Sequence, residues 1–247
     1  MKKTKNTSGR KISARLIVFI FLRLIILLTA VASFLKGEYY TVFLCTLALF
    51  LFFLPSIIEK TFRIEAPDTL QILVLLFIFA SLFLGEIRGF YEQFPHWDKM
   101  LHLTSGFLSA AIGFSLIDIL NRSDKVELNL SPLFIALFAF CFSLAVGVLW
   151  EFFEFGTDSL FGFDMQKDRF ISSFKSVLIG QEKITVESVV VNGEAWKGYI
   201  DIGLIDTMED LIVGAIGAIV FSVFGWLYLH GRGRWIEHLM PKKEKKD

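Results

Sequence analysis

Cysteine is almost absent from this chain: 247 residues contain two, Cys45 and Cys141, each inside an apolar run. No disulfide framework can be built from them, and both read as small buried apolar residues. Net charge is absent as well, 25 Lys and Arg balancing 25 Asp and Glu, so nothing in the charge points to nucleic acid as a partner. Chemical signatures are also missing. There is no His-Glu-x-x-His, no Cys-x-x-Cys, no three-histidine set, no Gly-Lys-Ser/Thr phosphate loop and no Gly-x-Ser-x-Gly elbow. Internal repeats and low-complexity stretches are lacking too.

What is present is apolar. The hydrophobic share is 54%, Phe alone occurs 28 times, and the mean hydropathy is +0.60. A soluble domain of this size is nearer about 45–50% apolar. The excess falls into six blocks: Leu16–Phe34, Tyr40–Ile58, Leu70–Leu84, Leu101–Leu120, Leu133–Phe153 and Met208–Leu229. Roughly 20 apolar residues cross a bilayer as a helix, which satisfies its own backbone polar groups in lipid. A water-soluble enzyme, a disordered tail protein and a secreted disulfide scaffold are thereby excluded. The first block follows a basic stretch but is too long for a signal-peptide core, and no small-residue cleavage site follows it, so it reads as a retained helix.

Lys and Arg set the expected orientation. With the N-terminus inside, the inner segments 1–15, 59–69, 121–132 and 230–247 hold sixteen basic residues and the outer segments eight. The expected fold is an all-α membrane protein, a six-helix transmembrane bundle in the cell (inner/plasma) membrane with both termini cytoplasmic. Residues 1–15 form a basic cytoplasmic N-terminus, 16–230 the transmembrane domain, and 231–247 a basic cytoplasmic tail. The expected partner is the lipid bilayer. Between helices five and six, the extracytoplasmic loop 160–206 contains two β-rich runs, Lys183–Val191 and Glu194–Ile200, joined by Asn192-Gly193, a β-hairpin signal. Phe170–Leu178 reads as a short amphipathic helix ahead of it.

Ionisable groups in membrane helices are costly and mark candidate sites. Three helix ends carry them. Asp98 and His102 share a face of helix four; Glu151, Glu154 and Asp158 share one at the exit of helix five; Asp206 and Asp210 share one at the start of helix six. By the alternation of direction all three ends lie on the outer side. Carboxylates with one imidazole suit a divalent ion of the Mg, Mn, Zn or Fe type, so Asp98, His102, Glu151, Glu154, Asp206 and Asp210 are the candidate ligands. Helix caps compete for some of them: Asp98, Asp206 and Glu209 also suit a first turn. Glu151 and Glu154, taken as sitting at a helix C-terminus where the dipole disfavours anions, lack that alternative. Trp97 and Trp150 suit an interfacial belt, Gly214 and Gly217 a close helix contact. Arg23 is expected to snorkel inward or pair with Asp118.

Trp97-Asp98-Lys99-Met100-Leu101-His102 with Ser105-Gly106-Phe107, then Trp150-Glu151-Phe152-Phe153-Glu154, then Asp206-Thr207-Met208-Glu209-Asp210 with Gly214 and Gly217, resemble the YjdF-type family of small multi-spanning bacterial membrane proteins. A looser likeness to VanZ-like proteins rests on the Asp-Lys-x-x-His opening of helix four. The resemblance covers roughly residues 85–230. It implies a membrane protein without a settled activity, and the long loop departs from the shorter Gln-Gly-Asp-type connection of many relatives. Three functions stay open: an envelope or accessory protein whose polar cluster locks helices together, a metal-dependent membrane enzyme acting on a lipid-linked or envelope substrate, and a cation transporter.

Overall fold

The computed structural model describes residues 14–121 and 128–243. The basic residues before Ala14, Arg122 and Lys125 in the connection between helices four and five, and the tail residues after Lys243 lie outside the described residues.

Six helices are long and apolar enough to cross a membrane. α1 is Ala14–Lys36, and the second span is divided into α2 (Tyr39–Leu51) and α3 (Leu54–Phe62). The division falls where Pro55 stands four residues after Leu51: its ring crowds that carbonyl and it offers no N–H to it. α4 (Asp68–Ile78) continues as a π-helical stretch, Phe79–Ile87, and the short α5 (Phe90–Gln93) follows. α6 is Trp97–Asn121, α7 Pro132–Phe161 and α8 Leu204–Leu229. Ser131 caps α7, its Oγ accepting from Phe134 N at 3.2 Å, with Pro132 in the first turn.

α7 runs eight residues beyond the apolar block at its exit, and α8 begins four residues before its block. The polar connection therefore shortens to 162–203. Glu151 and Glu154 are corrected by this: they lie about two to three turns inside α7 rather than at its end, and the argument from an unfavourable helix dipole falls away.

Two apolar cores form. One joins α1, α2 and α4 around Ile26, Leu44, Cys45, Phe52 and Leu82; the other joins α6, α7 and α8 around Ala110, Ala111, Phe114, Ala139 and Phe221. In the second core, parallel helices α6 and α8 meet backbone to backbone. A Cβ at Gly106 would overlap the Gly214 carbonyl, and one at Gly217 would overlap the Leu103 carbonyl. α7 joins at the same level, Ser143 Oγ donating to the Gly106 carbonyl at 2.8 Å. Arg23 lies between two rings, its guanidinium carbon 3.7 Å from the Phe19 centroid and 4.1 Å from that of Phe53, and its Nε and one terminal nitrogen have no hydrogen-bond partner.

At the end of the bundle away from the loop, β1 (Ile64–Glu65) pairs antiparallel with β8 (Lys242–Lys243), after a 3-10 turn at Arg234–Leu239. The loop itself is a set of antiparallel pairs: β2 (Arg169–Ile171) with β7 (Tyr199–Asp201), β3 (Ser173–Ser176) with β4 (Gly180–Thr185), and β5 (Val189–Val191) with β6 (Glu194–Trp196). The β5–β6 hairpin turns at Asn192-Gly193, both residues at positive φ (52° and 88°), as its turn signal demands. The expected pairing of Lys183–Val191 with Glu194–Ile200 holds only next to the turn: Lys183–Thr185 pairs with β3 and Tyr199–Asp201 with β2. The expected helix over Phe170–Leu178 does not form. Phe170 and Phe174 instead sit in β2 and β3, where Phe170 stacks on Trp196 and Phe174 meets Tyr199. The apolar pattern is satisfied across strands.

Candidate functional site

The glycine crossing sets the site. His102 is one turn above Gly106 on α6 and Asp210 one turn above Gly214 on α8, so the closeness of the two backbones is passed on to these side chains. His102 Nε2 lies 3.5 Å from Asp210 Oδ2 and 3.5 Å from Asp98 Oδ1, its neighbour at i−4. One ligand atom each of Asp98, His102 and Asp210 lie within 4.8 Å of one another. Asp210 is buried, while Asp98 and His102 are half-buried.

α7 contributes the second layer. Glu151 and Glu154 are both buried. Glu154 accepts from Trp150 Nε1 at 2.8 Å, which gives that indole an internal partner in addition to any place in an aromatic belt. Glu151 Oε2 is buried with no hydrogen-bond partner. The carboxylates share one field: Asp98, Asp206 and Glu151 lie within electrostatic reach of Asp210, and Glu151, Asp98 and Asp210 within reach of Glu154.

Asp206 is occupied differently. Its Oδ2 accepts from the Lys167 backbone N–H at 3.0 Å and its Oδ1 from Arg169 at 3.0 Å. Arg169 also donates to Glu209 at 3.0 Å, and Lys99 pairs with Glu209 at 3.0 Å. Burial alone would lower the Arg169 pKa, but hydrogen bonds to Glu209 and Asp206 outweigh it and hold the guanidinium above its ordinary value. Asp158 accepts from Met165 N and Gln166 N, both at 2.8 Å, and Gln166 Nε2 donates to Thr207. The α8 N-terminus takes its capping bond from Asp201, whose Oδ2 accepts from Ile205 N at 2.8 Å, so Asp206 is not the cap.

Residues 165–169 are thus a strap fixed to α7 and α8 directly above the carboxylates. Its third anchor was not expected from the sequence. Lys167 Nζ pairs with Glu86 of the π-helical stretch at 3.2 Å, and Tyr40 donates to the other Glu86 oxygen at 3.2 Å. Tyr91 is a further residue beside the site: Gly85 leaves room for its ring, and its hydroxyl bonds Ser81 at 3.1 Å. Burial pushes the Tyr91 phenol well above its usual range. A Glu two residues past the end of the third apolar block was the available signal for Glu86; Tyr91 left none.

The strap's main cation should matter most. Arg169→Ala leaves the buried Asp206 without its guanidinium, so the loop is expected to become cleavable by trypsin at Lys167 or Lys175 at protease levels that spare the wild type. Lys99→Ala, removing only a half-buried surface partner of Glu209, should leave the digestion pattern unchanged.

The strap and site sit on a multi-pass helical membrane protein. Residues 17–231 match the family described as "Predicted membrane protein (DUF2238)", and the chain belongs to it. It is also similar to an uncharacterized protein of Thermotoga maritima, 29% identical over 119 residues, or 47% of this chain. That match spans 59% of the relative's length. No solved structure matches.

Proposed function

We propose that the chain is an envelope or accessory protein of the bacterial cell (inner) membrane that holds a divalent cation at Asp98, His102 and Asp210. The observation that carries this reading is the pair of 3.5 Å separations from His102 Nε2 to two carboxylates. They are long for direct hydrogen bonds, yet an ion about 2.1 Å from each ligand keeps its ligands about 3.0–3.4 Å apart. Charge balance supports it. Among the described residues no Lys or Arg pairs with Asp98, Asp210, Glu151 or Glu154; the nearby cations go to Asp206, Glu209 and Glu86. A cation or shared protons must relieve the repulsion. Glu154 and Asp206 belong to the surrounding shell in this reading, Asp206 through the strap.

A transport role is disfavoured because Ala110, Ala111, Phe114 and Phe221 fill the seam below the site. A metal-dependent enzyme acting on a lipid-linked or envelope substrate is the second reading. Glu151 favours it, since a carboxylate with one unpartnered oxygen within electrostatic reach of Asp210 would be available to take a proton from bound water. The chain is further read as a YjdF-type membrane protein, on Trp97–His102, Trp150–Glu154 and Asp206–Asp210. The test is native mass spectrometry of detergent-released protein in manganese or zinc. One ion per wild-type chain and none on the His102→Ala, Asp210→Asn variant is expected, and equal loading would defeat the assignment.

The same proposal places residues 1–15 and 231–247 in the cytoplasm and the loop outside, on the sixteen-to-eight division of basic residues. A cysteine replacing Asn192 should react with an impermeant thiol reagent in intact cells; labelling only after lysis would invert the orientation.

A further inference from the structure

The loop contains an apolar feature that the site does not use. The β3–β4 hairpin turns through Val177-Leu178-Ile179, which are 87%, 97% and 69% exposed. Turns favour Gly, Asn, Asp, Ser and Pro, for conformational reasons. Three successive bulky aliphatics at a tip, without internal packing, are a surface that something else covers. Behind the tip, Lys175 and Lys183 face each other directly across the strands, both exposed. Like charges in that register weaken a hairpin unless anions lie over them. An apolar tip backed by ammonium groups matches the headgroup region of a bilayer, with aliphatics at the acyl boundary and lysines at phosphates.

The loop's origin places that region within reach. The exposed apolar surface of the bundle continues to Leu160 and Phe161 at the end of α7, and to Ile202 and Leu204 at the start of α8. The loop therefore leaves the bundle where the lipid-facing surface ends. A strand of four to six residues spans about 13–20 Å, enough to return to the headgroups from there.

We propose that Val177, Leu178 and Ile179 insert into the leaflet at the loop end of the bundle, with Lys175 and Lys183 on phosphates of anionic phospholipid. The insertion anchors the loop at a second place in addition to the strap. It needs only the bundle in a bilayer and does not depend on a metal.

The test uses the full chain with Cys45→Ala and Cys141→Ala, spin-labelled through Leu178→Cys and reconstituted into bilayers containing phosphatidylglycerol. Leu178 makes almost no contacts, so labelling there does not disturb the fold. The label should be more accessible to oxygen than to a water-soluble nickel chelate, and a label at Asn192→Cys should show the reverse. Lys175→Glu with Lys183→Glu, or an all-phosphatidylcholine bilayer, should move the Leu178 label toward water. A Leu178 label as open to the nickel chelate as that at Asn192 overturns insertion. So does an immobile label shielded from both reagents, which would put a protein partner on the tip. Insertion indifferent to both the lysines and the lipid charge overturns the phosphate contacts.

Discussion

Gly106→Ala is expected to destabilise the detergent-solubilised protein by about 1–3 kcal/mol, the usual cost of overpacking, whereas Gly214→Ala on the facing helix should stay within about 0.5 kcal/mol. The asymmetry is geometric. A methyl group on Gly106 meets the Gly214 carbonyl, which is backbone and cannot rotate aside, while one on Gly214 finds the His102 carbonyl at 3.6 Å, an ordinary contact. Gly217→Ala, directed at the Leu103 carbonyl, should resemble Gly106→Ala. Because His102 and Asp210 stand one turn above this crossing, forcing α6 from α8 also separates them. Melting curves with and without a divalent cation would show both effects. Equal costs at Gly106 and Gly214 would contradict the packing described.

The second large effect is metal-linked. A cation that binds only the folded protein stabilises it by RT ln(1 + [L]/Kd), about 2.7 kcal/mol at a hundredfold excess over Kd. Asp210→Asn removes a charged ligand and should abolish that gain, while chelator-treated stability holds or rises as repulsion is relieved. Glu151→Gln keeps the shape of a side chain that lies outside the closest ligand set, so it should shrink the gain without abolishing it. If the cluster only locks helices together, no divalent-dependent shift appears in the wild type.

The spans were legible in the sequence because lipid allows few solutions: some 20 apolar residues must form a helix, and six such blocks stand out. Local spacing also foretold part of the cluster's geometry. Asp98 and His102, four apart on one face of α6, both come close to Asp210 across the α6–α8 contact. Which carboxylates the loop would claim was not local information. Asp206 is held by Lys167 and Arg169, nearly forty residues earlier. The Phe170–Leu178 expectation failed because aromatic residues spaced for a helix face also fit strand positions, where Phe170 and Phe174 meet Trp196 and Tyr199 of strands they do not pair with. Ending α7 with its apolar block failed because buried carboxylates and Phe side chains continue the helix equally well to Phe161. The Gly106–Gly214 contact is tertiary, and neither glycine by itself announces its partner.

The most direct measurement is electron spin-echo modulation of Mn2+ bound to the purified chain. Ligation by His102 predicts nitrogen modulation from one imidazole, lost in His102→Gln. Manganese that binds with no nitrogen coupling, or with a coupling that survives His102→Gln, would contradict a cation held between Asp98, His102 and Asp210.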